Sequence, residues 1–485
     1  MSNAQTNARA DGFTAPPIST RQMYFIVGGV MLAMLLAALD QTIVAPALPT
    51  IGDRLGHVDY LPWVVTAYLL TSIATAPLYG KIADLYGRRP TIFAAVFFFV
   101  AGSVVCGLAG HMFVLILGRA IQGLGGGGLF AMAMIVIGDL VPPRERGRLT
   151  AWTAGTWAVA SVAGPLLGGA FADHLHWSLI FWINLPLGVL ALAIMNAPLK
   201  ALTKGNPDRR LDLAGAGLLV VATTALLLAL NWGGNTYAWT SLPILSLIAG
   251  FLALGAVLAW RLLTAPEPLI ALEVLRNPIV CAASAAVALT QGAHLGLTVF
   301  IPIYLQTSLD MSVSASGSAL LGFMLGTVLG AWISGRLLMR VRRYKLMAVF
   351  GAGISAAGIL VMGLTAGLAS LFLAEALMIA AGFGAGLTFP IATISAQNAV
   401  AQSELGAATG LVTFLRQLGG AIGVAVLGAI ALAYGLPMSR EGAVTAAQGG
   451  GEAGLYAIIF YAAALAMAGT TLSYVLMPEK PLAEG

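Results

Sequence analysis

GKIADLYGRRP, residues 80–90, is a charged segment punctuated by glycines and set between two apolar runs, 61–79 and 91–110. Each run is about the 20 residues that a helix needs to cross a hydrocarbon core of about 30 Å. Two such runs joined by a short charged turn read as a membrane hairpin. The pattern returns as GRLLMRVRR at 335–343, again after an apolar run, and GLGGGGLF at 123–130 is echoed by GFGAGLTF at 382–389. A chain that repeats itself in this way reads as two related helical halves.

Composition agrees with that reading. Of 485 residues 59% are hydrophobic and only 9% charged, and the mean hydropathy is +0.91. Charge this sparse does not cover a water-facing surface, so soluble, secreted and disordered classes are excluded. The 59 glycines suit helices that pack closely in lipid. The two cysteines, Cys106 and Cys281, lie in apolar runs and support neither a disulfide framework nor a metal site.

Scanning for apolar runs of membrane length gives fourteen segments: 24–46, 61–79, 91–110, 112–138, 149–171, 179–197, 212–231, 242–263, 279–304, 316–338, 346–366, 370–394, 405–433 and 454–477. Backbone groups in lipid must be satisfied within their own segment, so these are expected to be helices. The ten-residue alternation of a membrane barrel is missing. The expected organisation is a tail at 1–22, a six-helix bundle at 23–200, two inserted helices with linkers at 201–277, a second six-helix bundle at 278–477 and a tail at 478–485. Of the 24 Lys/Arg, all but Arg54, Arg119, Arg416 and Arg440 fall in the tails and loops of one side. The positive-inside rule then predicts that both termini are cytoplasmic.

With these stretches the sequence resembles the major facilitator superfamily, and within it the fourteen-helix drug:proton antiporter branch (EmrB/QacA type). GKIADLYGRRP looks like the superfamily's signature between spans 2 and 3. LDQTIVAPALPTI (39–51) is similar to that branch's LDxTIVNVALP, with Ala45-Pro46 where Asn-Val is usual. GRAIQGLGGGG (118–128) resembles the arginine-bearing motif of proton-driven members, and Gly155 with GPLLGG (164–169) resembles the antiporter motif. FWINLPLG (181–188) and FLRQLGGAIG (414–423) are typical of the branch. Two departures are His176-Trp177-Ser178, where an arginine usually precedes FWINLP, and Met339, where the second-half signature usually has an acid.

Four charged residues fall well inside the runs: Asp40, Arg119, Glu375 and Arg416. A charge in the membrane is costly unless paired or wet, which makes each a candidate functional residue. By helical rise Asp40 sits about 24 Å from the inner edge and Arg119 roughly 10 Å from the outer edge. Both therefore fall in the outer half, where they can meet across the first bundle. In the proton-coupling reading Asp40 takes up and releases the proton while Arg119 biases it; a permanent structural ion pair is the alternative. Glu375, about 8 Å from the outer edge, reads as an acid facing a cationic substrate or as a snorkelling surface residue. Arg416, near the midplane beside Gln417, reads as a contact to substrate or to a carboxylate, or as a partner of helix carbonyls. His294 is a further titratable candidate.

Gly80, Asp84, Gly87, Arg88 and Arg89 form the candidate gating loop, with Asp84 expected to pair with Arg88 or Arg89. Gly155, Gly164, Pro165, Gly168 and Gly169 are expected to form a hinge or a leak-proof seam between the halves. Trp157, Gln291, Tyr304, Phe323, Gln397 and Phe414 are candidate substrate contacts, with Trp63, Tyr68 and Gln306 as further cavity residues. Trp232, Trp239 and Trp260 read as interfacial anchors.

The expectation is a monomeric, proton-coupled multidrug efflux antiporter of the bacterial inner membrane, exporting lipophilic, cationic compounds by alternating access. It needs no cofactor beyond the proton gradient, and its partners are small lipophilic substrates, protons and membrane lipid, not nucleic acid. Export of a lipid, a siderophore or a self-made antibiotic is an alternative. An uptake symporter fits the antiporter motif less well, and a membrane enzyme or sensor is a remote alternative, since no HExxH, GxSxG or acid pair occurs.

Overall fold

A computed structural model describes residues 18–481 apart from 58–59, 142, 203–210, 235, 271, 310, 339, 342, 367–369 and 435–451. Most of the N-terminal tail, half of the C-terminal tail and the Met339 departure lie outside the described residues. Among the described residues fourteen helices are long and apolar enough to cross a membrane. Numbered in chain order they are α1 (Thr20–Leu55), α2 (Leu61–Tyr86), α3 (Arg88–Gly107), α4 (Met112–Leu140), α5 (Pro143–His174) and α6 (Asn184–Asn196, preceded by the short turn Leu179–Trp182). Then follow α7 (Leu213–Trp232), α8 (Leu242–Thr264), α9 (Pro278–Ser308), α10 (Val313–Leu338), α11 (Tyr344–Leu364), α12 (Leu371–Ala399), α13 (Leu405–Ala433) and α14 (Glu452–Leu476). Among the described residues the only extended pairing is an isolated bridge between Gly233 and Tyr237.

The helix ends follow from local chemistry. Ser19 starts α1 with a capping box, its Oγ accepting from Gln22 N at 3.2 Å while Gln22 Oε1 accepts from Ser19 N at 2.9 Å. Asn277 caps α9 by accepting from Ile279 N and Val280 N, with Pro278 in the first turn. Asp212 caps α7 through Gly215 N and also holds Arg261 Nε of α8 at 2.7 Å, tying the two helices together at one end.

Segment 80–90, expected as a loop, is mostly helix. α2 runs on to Tyr86, and the break is confined to Gly87, whose φ of +92° only glycine adopts without strain. Arg88 and Arg89 open α3 directly. Charged residues continue a helix where their side chains find partners, and those partners are described below.

α1 packs on α5 and α6, α4 packs on α2 and α3, α12 packs on α10 and α11, and α9 packs on α13 and α14. One apolar core is drawn entirely from α9 to α14, around Phe300, Tyr304, Phe323, Tyr456 and Phe460. A second, around Ile43, Val64, Met112 and Phe181, comes from α1 to α5 and the turn before α6. α7 and α8 pair with each other, and α7 also rests on α2. On α8 only Ile244 is buried, while Leu242, Leu252, Trp260 and Leu263 are exposed. An apolar helix bare over most of its surface needs lipid as its solvent.

Two helix seams are built alike. On α5, a Cβ at Gly164 would overlap Thr42 Oγ1 and one at Gly168 would overlap the Ile43 carbonyl of α1. On α13, a Cβ at Gly419 would overlap the Ala288 carbonyl and one at Gly423 would overlap Gly292 of α9. Small residues four apart let backbones touch. The Gly164/Gly168 seam therefore lies within the first six helices, which corrects the expectation of a seam between the halves. It is α5's contact with α10 that joins it to the second half. Gly155 and Gly169 have nothing near their missing Cβ, so close packing does not explain them.

Candidate functional site

α1 and α4 carry opposite charges into the apolar interior at the same depth. Arg119 Nη1 donates to Asp40 Oδ2 at 2.5 Å, and the two side chains are 1% and 0% exposed. The remaining oxygen, Asp40 Oδ1, accepts from Gln122 Nε2 at 2.7 Å and from Asn184 Nδ2 at 3.4 Å. Gln122 and Asn184 both also donate to Ser103 Oγ, at 2.9 and 3.2 Å. Arg119 is held in turn by the Val64 carbonyl at 2.9 Å and Gln122 Oε1 at 2.8 Å, and its guanidinium lies 4.4 Å from the centre of the Tyr68 ring. Every group that reaches Asp40 is a donor: a guanidinium and two amide N–H groups.

Glycines make this approach possible. A Cβ at Gly102 would overlap Gln122 N, and one at Gly123 would overlap Thr71 Oγ1 and the Tyr68 carbonyl. The glycines beyond Gly123 press α4 onto α2 and α3 in the same way, against Ala95, Ser72 and Tyr79.

A second polar cluster lies where α2 ends and α3 begins. Arg88 Nη1 donates to Asp84 Oδ1 and Arg88 Nε to Asp139 Oδ2, both at 2.6 Å, and all three side chains are at most 9% exposed. Asp84 Oδ2 then crosses to the second half and accepts from Ala407 N at 3.0 Å. Ala407 stands in the first turn of α13, where backbone N–H groups lack intrahelical acceptors and the helix dipole favours an anion. Nearby, Gln397 at the end of α12 donates to the Met134 carbonyl and to Thr409 Oγ1, each at 3.1 Å. Arg146 donates to Gln397 Oε1 at 3.5 Å and to the Gly138 carbonyl at 2.7 Å. Burial pushes the Arg146 guanidinium down to about 10, partly offset by Asp139. Together these contacts seal the face of the molecule at which α2 and α12 end and α3 and α13 begin.

The structure thus brings Asp40 to Arg119, and Asp84 to Arg88. It separates Arg89, which donates to Asn196 Oδ1 at 2.6 Å on the exposed surface and does not pair with Asp84. Several expected substrate contacts are packed elsewhere. Tyr304 donates to the Ala366 carbonyl at 2.9 Å and meets Tyr456 and Phe460 edge-on inside a core. Phe323 stacks on His294 with ring centres 4.7 Å apart. Phe414 is buried in the core shared by α2, α7, α9 and α13, and Gln397 belongs to the seal. Trp157 stacks on Phe130 at 5.4 Å and is half-buried. Gln291 faces Gly420 across the α9–α13 seam, Glu375 sits half-buried in the second turn of α12, and Arg416 is half-buried on α13.

Gln122 and Asn184 were passed over although both lie inside the quoted motifs; an amide in an otherwise apolar helix was the signal. Asp139 was missed because the fourth apolar run ends at 138, whereas α4 extends to Leu140. Among the described residues no group of three or more His, Cys, Asp or Glu could hold a metal ion.

The family model of the Major Facilitator Superfamily matches residues 30–424. Multidrug transporter protein MdtP of Bacillus subtilis (strain 168) is 35% identical over 407 residues, covering 84% of this chain and 74% of that one. The MFS-type efflux pump LUC4 of Fusarium sp is 32% identical over 425 residues, covering 85% and 74%. The crystal structure of the human organic anion transporter MFSD10 (TETRAN) superposes with a TM-score of 0.64 at 16% identity, covering 94% of this chain and 99% of that one, a likeness of fold alone. The molecule is a multi-span membrane transporter and not an enzyme. The chain belongs to the Major Facilitator Superfamily and is an efflux transporter of that superfamily.

Proposed function

We propose that this chain exports lipophilic small molecules in exchange for protons across a bacterial inner membrane, by alternating access between helices 23–200 and 278–477. The observation that carries the reading is the buried Asp40–Arg119 pair with its ring of donors. A carboxylate held by a guanidinium in a dry site has two stable conditions. Deprotonated, it binds Arg119; protonated, it loses most of that attraction and Arg119 must find other acceptors, of which Gln122 Oε1 and the Val64 carbonyl are in place. Arg119 keeps its charge throughout, so the proton resides on Asp40. A bistable element of this kind can bias one conformation against another by no more than the difference in proton affinity between them.

The sealed face is assigned to the cytoplasm, because the loops on that side hold most of the Lys and Arg. In this arrangement Asp84, Arg88 and Asp139 brace the outward-open state. The closure opens when α13 leaves Asp84 and Gly80, and cargo then enters from the cytoplasm. Multidrug breadth is carried over from the relatives' names. A cationic cargo is the weaker reading: Asp40, Asp84 and Asp139 are each tied to an arginine, and Glu375 lies near the start of α12, away from the midplane.

The test is transport in proteoliposomes with an imposed pH gradient. Asp40→Asn should abolish gradient-driven export while leaving expression and folding intact, and full gradient-driven export by that variant would overturn the reading.

A further inference from the structure

Arg416 is a charged residue of the membrane helices that none of these contacts accounts for. Among the described residues it makes no ion pair, hydrogen bond or ring contact, whereas Arg88 and Arg119 hold carboxylates. It lies eleven residues beyond the start of α13 at Leu405, about 16 Å along the helix and so near the middle of a core about 30 Å thick. Residues 405–414 are all buried in and behind the seal, and exposure begins at Leu415 and Arg416. The guanidinium therefore stands just beyond the closed end.

Its direction follows from the seam. Gly419, Gly420 and Gly423 meet α9 at Ala288, Gln291 and Gly292, and Arg416 falls on the same stripe at helical spacing. It faces the protein interior, as membrane arginines do. One turn before Ala288 on the facing stripe of α9 is Ser284, 2% exposed, whose Oγ has no hydrogen-bond partner. Beside Arg416, the buried Gln417 Nε2 also has none. Arg416 and Ser284 thus lie at one level of the α9–α13 seam with the Gln417 amide next to them, and among the described residues no carboxylate pairs with any of the three. Of the acids in these helices whose side chains are described, Asp40 is paired with Arg119, Asp84 and Asp139 with Arg88, and Asp53 and Glu375 sit near the end of α1 and the start of α12, away from the midplane.

A lone guanidinium in a membrane interior is expensive unless a counter-charge or water joins it. An acidic group that arrived with the cargo would supply that charge and fill the vacant donors, and Arg presents a planar fork suited to a carboxylate. We propose that Arg416, with Gln417 and Ser284, is the subsite for an acidic group on the exported compound, so that the preferred cargo is a lipophilic carboxylic acid. The inference rests on the export reading only in calling the bound compound cargo.

The experiment is equilibrium binding to the purified full-length protein in detergent, which involves neither a gradient nor a direction of transport, so failure of the export reading leaves its outcome unchanged. The probes share one fluorescent ring: anthracene-9-carboxylate, its methyl ester and 9-(aminomethyl)anthracene. The carboxylate should bind the wild type about tenfold or more tighter than either of the others. Arg416→Gln should remove that preference and leave ester binding unchanged, which also reports that the variant is folded. Arg416→Lys, which keeps the charge and loses the fork, should retain part of it. Preference for the ammonium probe, equal loss of carboxylate and ester binding in Arg416→Gln, or absence of carboxylate binding would each overturn the proposal. So would a chloride-dependent melting temperature lost in Arg416→Gln without any carboxylate preference, since the guanidinium would then hold an inorganic ion.

Discussion

Gly80 of α2 and Gly406 of α13 meet backbone to backbone. A Cβ on Gly80 would overlap the Gly406 carbonyl oxygen, and one on Gly406 would stand 2.6 Å from the Gly80 carbonyl and run into the Asp84 carboxylate. The seal closes only because neither residue has a side chain. Gly406→Val should hold α13 away at a cost of about 1–3 kcal/mol, raising the open population of that face by about 5- to 150-fold. A cysteine placed at Thr409, buried in the wild-type seal, should then react with a soluble maleimide in the valine background and resist it otherwise. Equal labelling rates in both backgrounds would show that the glycine pair does not set closure.

Removing Arg119 leaves Asp40 buried among neutral donors. Arg119→Leu should lower stability by about 3–5 kcal/mol, because breaking one side of a buried pair strands the other charge. Adding Asp40→Asn to it should recover much of that loss. Thermal melting of the single and double variants checks this, and a single variant melting with the wild type would mean that the pair carries no net interaction in this state.

Arg88 and Arg89 are adjacent in sequence and different in consequence. Asp139→Asn should weaken the seal, since it removes the negative charge opposite Arg88 and turns one of its two acceptor oxygens into a donor. Arg89→Ala loses an exposed bond to Asn196 and a guanidinium–ring contact with Phe93, and should change melting by no more than about 1 kcal/mol. Export by the two variants should differ in the same order; comparable losses would place Arg89 in the gate.

Among the glycines of α5, Gly164→Ala should cost about 1–3 kcal/mol because the methyl meets Thr42. Gly155→Ala, in open space in the same helix, should be neutral or stabilising by up to about 1 kcal/mol, the helix propensity gained. Guided by sequence likeness alone, one would expect the two glycines to be equally sensitive, and a melting comparison separates the cases.

Which parts of this were legible beforehand follows from length scales. Fourteen helices could be placed because a run of membrane length is recognised without knowing its neighbours. Asp40 and Arg119 could be paired because helical rise fixes depth. Rotation about the helix axis is another matter: nothing in one sequence says which way Tyr304 or Phe323 turns, and both prove to be core residues. Asp84 and Asp139 illustrate a boundary effect. The apolar runs 61–79 and 112–138 stop short of both acids, whereas the helices continue to Tyr86 and Leu140, so Asp139 falls where apolar scanning does not look, and Asp84 and Arg88 come to notice only through the repeated charged segment.

The two glycine seams, α5 on α1 and α13 on α9, also limit how this molecule can move. Backbones in direct contact over a full helical turn can neither slide nor rotate without collision. Each pair must therefore travel as one stiff plank. The freedom needed to swap an open face for a closed one has to reside in the remaining helices, and Asp40, carried on one plank, is transported along with whatever that plank does.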